Sequence, residues 1–88
     1  MRIKEWYTMK TKLLRLNIDY KTPEYGVPEM MDREGYRISK VFIDGNSVPE
    51  NQLVRIGPRI IRFGFPLKPD IEVEAAIDEI QDKNSQRV

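Results

Sequence analysis

Between Pro23 and Pro69, proline and glycine interrupt this chain at intervals too short for a helix of ordinary length. Pro23, Gly26, Pro28 and Gly35 fall close together, and Gly45, Pro49, Gly57, Pro58, Gly64, Pro66 and Pro69 follow. Proline lacks the backbone donor that a helix interior or a central strand requires, and glycine weakens both. Around and between these breaks apolar and polar residues alternate, the period of a half-buried strand. Leu14, Leu16, Ile18 and Tyr20 alternate with Arg15, Asn17 and Asp19, which predicts a strand over 10–20 with the apolar set on its buried face. A second strand over 36–43 stops at Asp44-Gly45-Asn46, a strong turn signal. After a corner at 48–51, residues 53–56 and 59–65 read as a tight hairpin about Gly57-Pro58. The last strand spans 71–77, with Ile71, Val73, Ala75 and Ile77 facing one way and Glu72 and Glu74 the other. The sum is an all-β chain of about five antiparallel strands, a small β-sandwich or partly open barrel.

The remaining segments are connections. Residues 21–35 form a long loop, in which 28–33 can make one helical turn beginning at Pro28. Residues 65–70 form a shorter loop with two prolines, and from residue 79 the chain is a polar tail. Met9 sits where a start is plausible, so residues 1–9 read as an N-terminal extension of the folded unit. A chain of 88 residues makes a single domain, 1–88. Chains of this size bury only about 60–65% of the surface that unfolding exposes, so the core is thin and a partner that adds burial matters.

Chemistry is bounded by absence. With no cysteine and no histidine, the chain has no disulfide, no thiolate or imidazole ligand and no nucleophile–histidine pair. No cofactor is expected and no metal site. The pair Glu72 and Glu74 reads as a charged outer face that protects a strand from aggregation rather than as an acid–base pair. Asp44-Gly45-Asn46 begins like a calcium loop but lacks the terminal glutamate, and is a turn. Fifteen basic residues against 14 acidic ones give a net charge of +1 and no global field toward nucleic acid or a membrane surface. No apolar run reaches the roughly 18–20 residues of a membrane helix, and no apolar segment follows the N-terminal basic residues as in a signal peptide. A non-enzymatic protein made in the cytoplasm is the expectation.

Binding residues are sought on the hairpin. A Gly57-Pro58 turn would pair Ile56 with Arg59, Arg55 with Ile60, Val54 with Ile61 and Leu53 with Arg62. Val54, Ile56, Ile61 and Phe63 would then face the core, and Leu53, Arg55, Ile60 and Arg62 would face outward. Arginine mixed with aliphatic groups is typical of an interface core. The alternative is a solvated face on which arginine stems lie over aliphatic neighbours. A phosphate footprint on Arg55, Arg62 and Arg37 is weaker, because no aromatic platform lies between them. Most aromatics are core candidates. Tyr25, beside Met30 and Met31 in the long loop, is read as an exposed contact residue as readily as a buried one.

Val41, Phe42, Asp44, Gly45, Ile61, Phe63, Pro66, Leu67, Ile71 and Val73 form a pattern across residues 40–77. It runs from a strand ending in Asp-Gly, through a hairpin closing on Ile-x-Phe and a Pro-Leu turn, to a strand of alternating Ile and Val. This segment resembles one found in bacteriophage tail and tail-fibre proteins. Leu53 stands where those have an aromatic, and Pro69-Asp70 replaces Gly-Asp. The resemblance implies a structural protein of a virion that contacts its own copies or neighbouring subunits. The rival expectation is a free-standing adaptor or inhibitor of a bacterial or host protein. A nucleic-acid-binding β module comes third.

Overall fold

The computed structural model describes residues 4–19 and 21–82. Among these residues eight strands form two antiparallel sheets of four strands each, so the chain is all-β as expected, with more and shorter strands than the five anticipated. The larger sheet has the order β1 (Lys4–Lys12), β8 (Val73–Asp82), β4 (Tyr36–Ile43), β5 (Asn46–Ser47). The smaller sheet has the order β2 (Leu14–Arg15), β3 (Glu24–Gly26), β7 (Ile60–Phe63), β6 (Leu53–Gly57). Short 3-10 turns at Glu29–Met31 and Glu50–Gln52 each follow a proline, and the first occupies the site foreseen for a helical turn.

The core lies between the sheets. Ile38, Val41, Val73, Ala75 and Ile77 come from the larger sheet, and Tyr25, Ile61 and Phe63 from the smaller, with Leu13 and Val27 beside them. Tyr25 meets Phe63 edge to face at 5.5 Å between ring centroids, a favoured aromatic geometry. The central strand β8 buries Val73, Ala75 and Ile77, the face assigned to it from alternation.

Four segments depart from the sequence reading. Residues 1–9 are not an appendage from Lys4 onward: β1 pairs with β8 along its whole length, from Lys4 with Asp82 to Lys12 with Glu74. Residues 1–3 lie outside the described residues. The polar tail likewise begins later than 79, because β8 runs to Asp82, paired with β4 as far as Glu79 and with β1 to its end, and pairing outweighs the polarity of its last residues. The stretch 10–20 is not one strand. The chain crosses between sheets at buried Leu13, whose amide donates to the Val73 carbonyl at 2.8 Å, and β2 retains two residues. The alternation beyond the crossing is real but inverted. Arg15 points inward over the Tyr25 ring and donates to the Tyr25 hydroxyl and the Leu67 carbonyl, while Leu14, Leu16 and Ile18 are exposed. Tyr20 lies outside the described residues. Finally, the long loop at 21–35 contains β3, which pairs on both sides inside the smaller sheet.

The hairpin register is also shifted. Leu53 pairs with Phe63, Val54 with Arg62, Arg55 with Ile61 and Gly57 with Ile60, leaving Ile56 as an extra residue in a bulge. The turn is Pro58-Arg59, with Gly57 still in the strand. Proline is favoured at the second position of such turns, where its fixed φ is already correct. Ile61 and Phe63 remain core residues, but Val54 and Ile56 are exposed.

Candidate functional site

The shifted register dissolves the anticipated Leu53, Arg55, Ile60, Arg62 face. Arg55 lies opposite buried Ile61 and turns inward, whereas Arg62 lies opposite Val54 and turns outward. Leu53 packs against the core. Ile60 and Arg62 alone of that set share the outer face.

Arg55 is a joint between the sheets. Its Nη1 donates to the Ile38 carbonyl at 2.6 Å and its Nη2 to the Ser39 carbonyl at 3.2 Å, where β4 bulges between Ile38 and Lys40. Nε and Nη2 also donate to the Glu50 carboxylate at 2.6 and 3.1 Å. This hydrogen bonding holds the Glu50 carboxyl below its ordinary value and raises the Arg55 guanidinium. A polar depression of about 270 Å³ beside it is lined by Arg37, Ile38, Ser39, Arg55 and Asp78. With its fork committed to Glu50 and two carbonyls, Arg55 offers little to a ligand there.

Tyr25 is only 2% exposed and belongs to the core, a correction to its reading as a contact residue. Its place in β3 beside Ile61, rather than in a loop, is the reason. Met31 packs against the core, and Met30 is exposed on the 3-10 turn.

The outer face of the smaller sheet carries the largest group of exposed aliphatic residues. Antiparallel alternation sends Leu14 and Leu16 outward at one edge, and Val54 and Ile56 outward at the other. These four are between 46% and 51% exposed. Across the strands they form two rows. One is Leu16, Glu24, Arg62, Val54; the other is Leu14, Gly26, Ile60, Ile56. In the middle, Arg62 donates from Nε and Nη2 to Glu24 Oε2 at 3.1 and 2.8 Å. Gly26 leaves a hollow of about 80 Å³ that Leu16 and Ile60 flank. A methyl group on Gly26 would sit 3.1 Å from Leu16 Cδ1, so the bare backbone is what allows Leu16 to lean across it.

The outer face of the larger sheet is different in kind. Thr8 donates to Asp78 at 2.8 Å, Arg37 reaches the same carboxylate at 3.5 Å, and Lys12 pairs with Glu72 at 2.7 Å. Lys10 lies 4.5 Å over the Phe42 ring. It is a charged, internally bonded surface. Among the described residues no group of three or more His, Cys, Asp or Glu side chains is placed to hold a metal ion. Nor is any helix among them long and apolar enough to cross a membrane.

Leu14, Leu16, Glu24, Gly26, Val54 and Ile56 were missed by sequence reasoning. The Pro58 turn preference signals where the hairpin turns, but the bulge at Ile56 that sends Val54 and Ile56 outward has no local signal. Nothing local marks the crossing at Leu13 that turns Leu14 and Leu16 outward. No protein family, no curated protein and no solved structure matches this chain.

Proposed function

We propose that this chain is a non-enzymatic assembly module that docks protein subunits on the outer face of its smaller sheet. The resemblance of residues 40–77 supports a building piece of a phage-like particle as the setting. The observation that carries the reading is the half-exposed aliphatic pairs at the two edges of one sheet face, Leu14 with Leu16 and Val54 with Ile56. Apolar groups gathered on one face and rimming a polar centre mark a contact surface more often than singly scattered ones do. Covering four aliphatic groups that are already about half buried recovers about 3–6 kcal/mol, at about 1.5–3 kcal/mol for each full burial. Association entropy offsets much of that. A single contact is therefore weak, and repetition in an assembly is what makes it useful. The charged groups support the same reading. Glu50, Glu72 and Asp78 each face a basic partner, so their charge is spent on structure.

Co-expression with the products of adjacent genes, followed by size-exclusion chromatography with light scattering, tests this. The wild-type chain should enter a larger complex, and Leu16→Lys with Val54→Lys should release it while the circular dichroism spectrum stays unchanged. A double variant that still assembles normally would sink the proposal. A one-to-one complex with a single soluble partner would favour the adaptor over the particle component.

A further inference from the structure

We infer that the occupant of this face is the same face of a second copy, related by a two-fold axis parallel to the strands between β3 and β7. The inference rests on the docking reading and names its partner. A two-fold contact requires a surface complementary to itself. Rotation about an axis along the strands preserves strand direction and reverses the order of the columns. The row Leu16, Glu24, Arg62, Val54 then lies against Val54, Arg62, Glu24, Leu16 of the second copy. Each Glu24 meets an Arg62, and each leucine meets a valine. Among the described residues Glu24 Oε1 and Arg62 Nη1 have no hydrogen-bond partner, because Oε2 accepts both bonds of the internal pair. Those two atoms are available to close an alternating square of four charges.

Shape agrees with charge. The other row, Leu14, Gly26, Ile60, Ile56, reverses so that Ile60 of each copy faces Gly26 of the other. Ile60 meets the one position of the face without a side chain, where Leu16 leaning across Gly26 offers it an aliphatic surface beside the hollow. Leu14 meets Ile56 at both ends. Strands related in this way stay aligned, which is the common arrangement of sheets packed face to face. Two rows across four short strands make a small interface, so the dimer is of the weak, concentration-dependent kind.

Sedimentation velocity on the full chain and two charge variants tests the arrangement. Wild type should shift from monomer to dimer as concentration rises. Glu24→Arg and Arg62→Glu each place like charges across the axis, which should raise the dissociation constant at least about tenfold. Mixed together, the two variants regain opposite charges at both central contacts and should form a one-to-one heterodimer. Circular dichroism of each variant confirms folding, and Ile60→Ala, which keeps the charges, should weaken the wild-type dimer. Wild type that remains monomeric at about 1 mM, a millimolar constant being barely 4 kcal/mol of affinity, would overturn the two-fold inference. So would folded variants that fail to associate on mixing. The docking reading itself falls only if Leu16→Lys with Val54→Lys still enters the larger complex, so the two failures are separable.

Discussion

Arg55→Ala should destabilise the chain far more than Arg62→Ala, although both arginines sit on one hairpin and look equivalent in sequence. Arg55 donates to the Ile38 and Ser39 carbonyls and to Glu50. A charged donor on a carbonyl contributes about 1.5–3 kcal/mol when buried, and an exposed ion pair at most about 1 kcal/mol. The Arg55 side chain is 36% exposed and that of Glu50 63%, so water replaces part of each contact. After that discount the loss for Arg55→Ala is about 2–4 kcal/mol. Much of it comes from carbonyls at the β4 bulge that lose their donor. Arg62 pairs only with Glu24 on a half-exposed face, so Arg62→Ala should cost about 0.5–1 kcal/mol. Urea denaturation followed by circular dichroism measures both. Arg55→Lys should recover only part of the loss, because an ammonium cannot span two carbonyls and a carboxylate as the planar fork does. Equal losses at Arg55 and Arg62 would refute the register and the inter-sheet joint together.

Phe63→Ala should cost about 3–5 kcal/mol, enough to unfold so small a domain, while Val54→Ala on the outer face should cost under about 1 kcal/mol in the monomer. Chemical denaturation of both reads the difference, and a comparable loss at Val54 would mean that this face is already covered. Glu50 provides a pH test. Its carboxyl is depressed in the folded state below the ordinary 4.5, through its hydrogen bond with Arg55. Its contribution is therefore present above pH 4.5 and is lost as pH falls through the lower folded value. Glu50→Gln should flatten part of the acid limb of the stability curve, and an unchanged limb would remove this pair from the account.

The β class was legible because alternation and turn chemistry are local. β4 and the mirror-image turn at Asp44 and Gly45, with φ of 51° and 82°, lie where Asp-Gly places them. The inward set Val73, Ala75 and Ile77 followed from period two alone. What failed needed non-local information. A period of two fixes which residues share a face but not which face is buried, and the crossing at Leu13 inverts it for Leu14 and Leu16. β3 is three residues long and owes its existence to partners on both sides, so no propensity reveals it. The bulge at Ile56 shifted the hairpin by one residue, and a one-residue shift exchanges the two faces. That shift separated Arg55 from Arg62 and moved the candidate site to Val54, Ile56 and the leucines across the sheet.

The chain has no cysteine of its own, so single cysteines report on one position at a time. Val54→Cys and Leu16→Cys probe the outer face of the smaller sheet, and Lys40→Cys probes an exposed position on the larger one. Thiol-labelling rates of each variant, measured dilute and in the assembled state, test the central claim without assuming which partner covers the face. The account predicts that labelling at positions 16 and 54 slows at least about tenfold on assembly, as it does for groups buried from solvent, while position 40 is unaffected. Slowing at position 40 with unchanged rates at 16 and 54 would place the contact on the larger sheet and contradict the account.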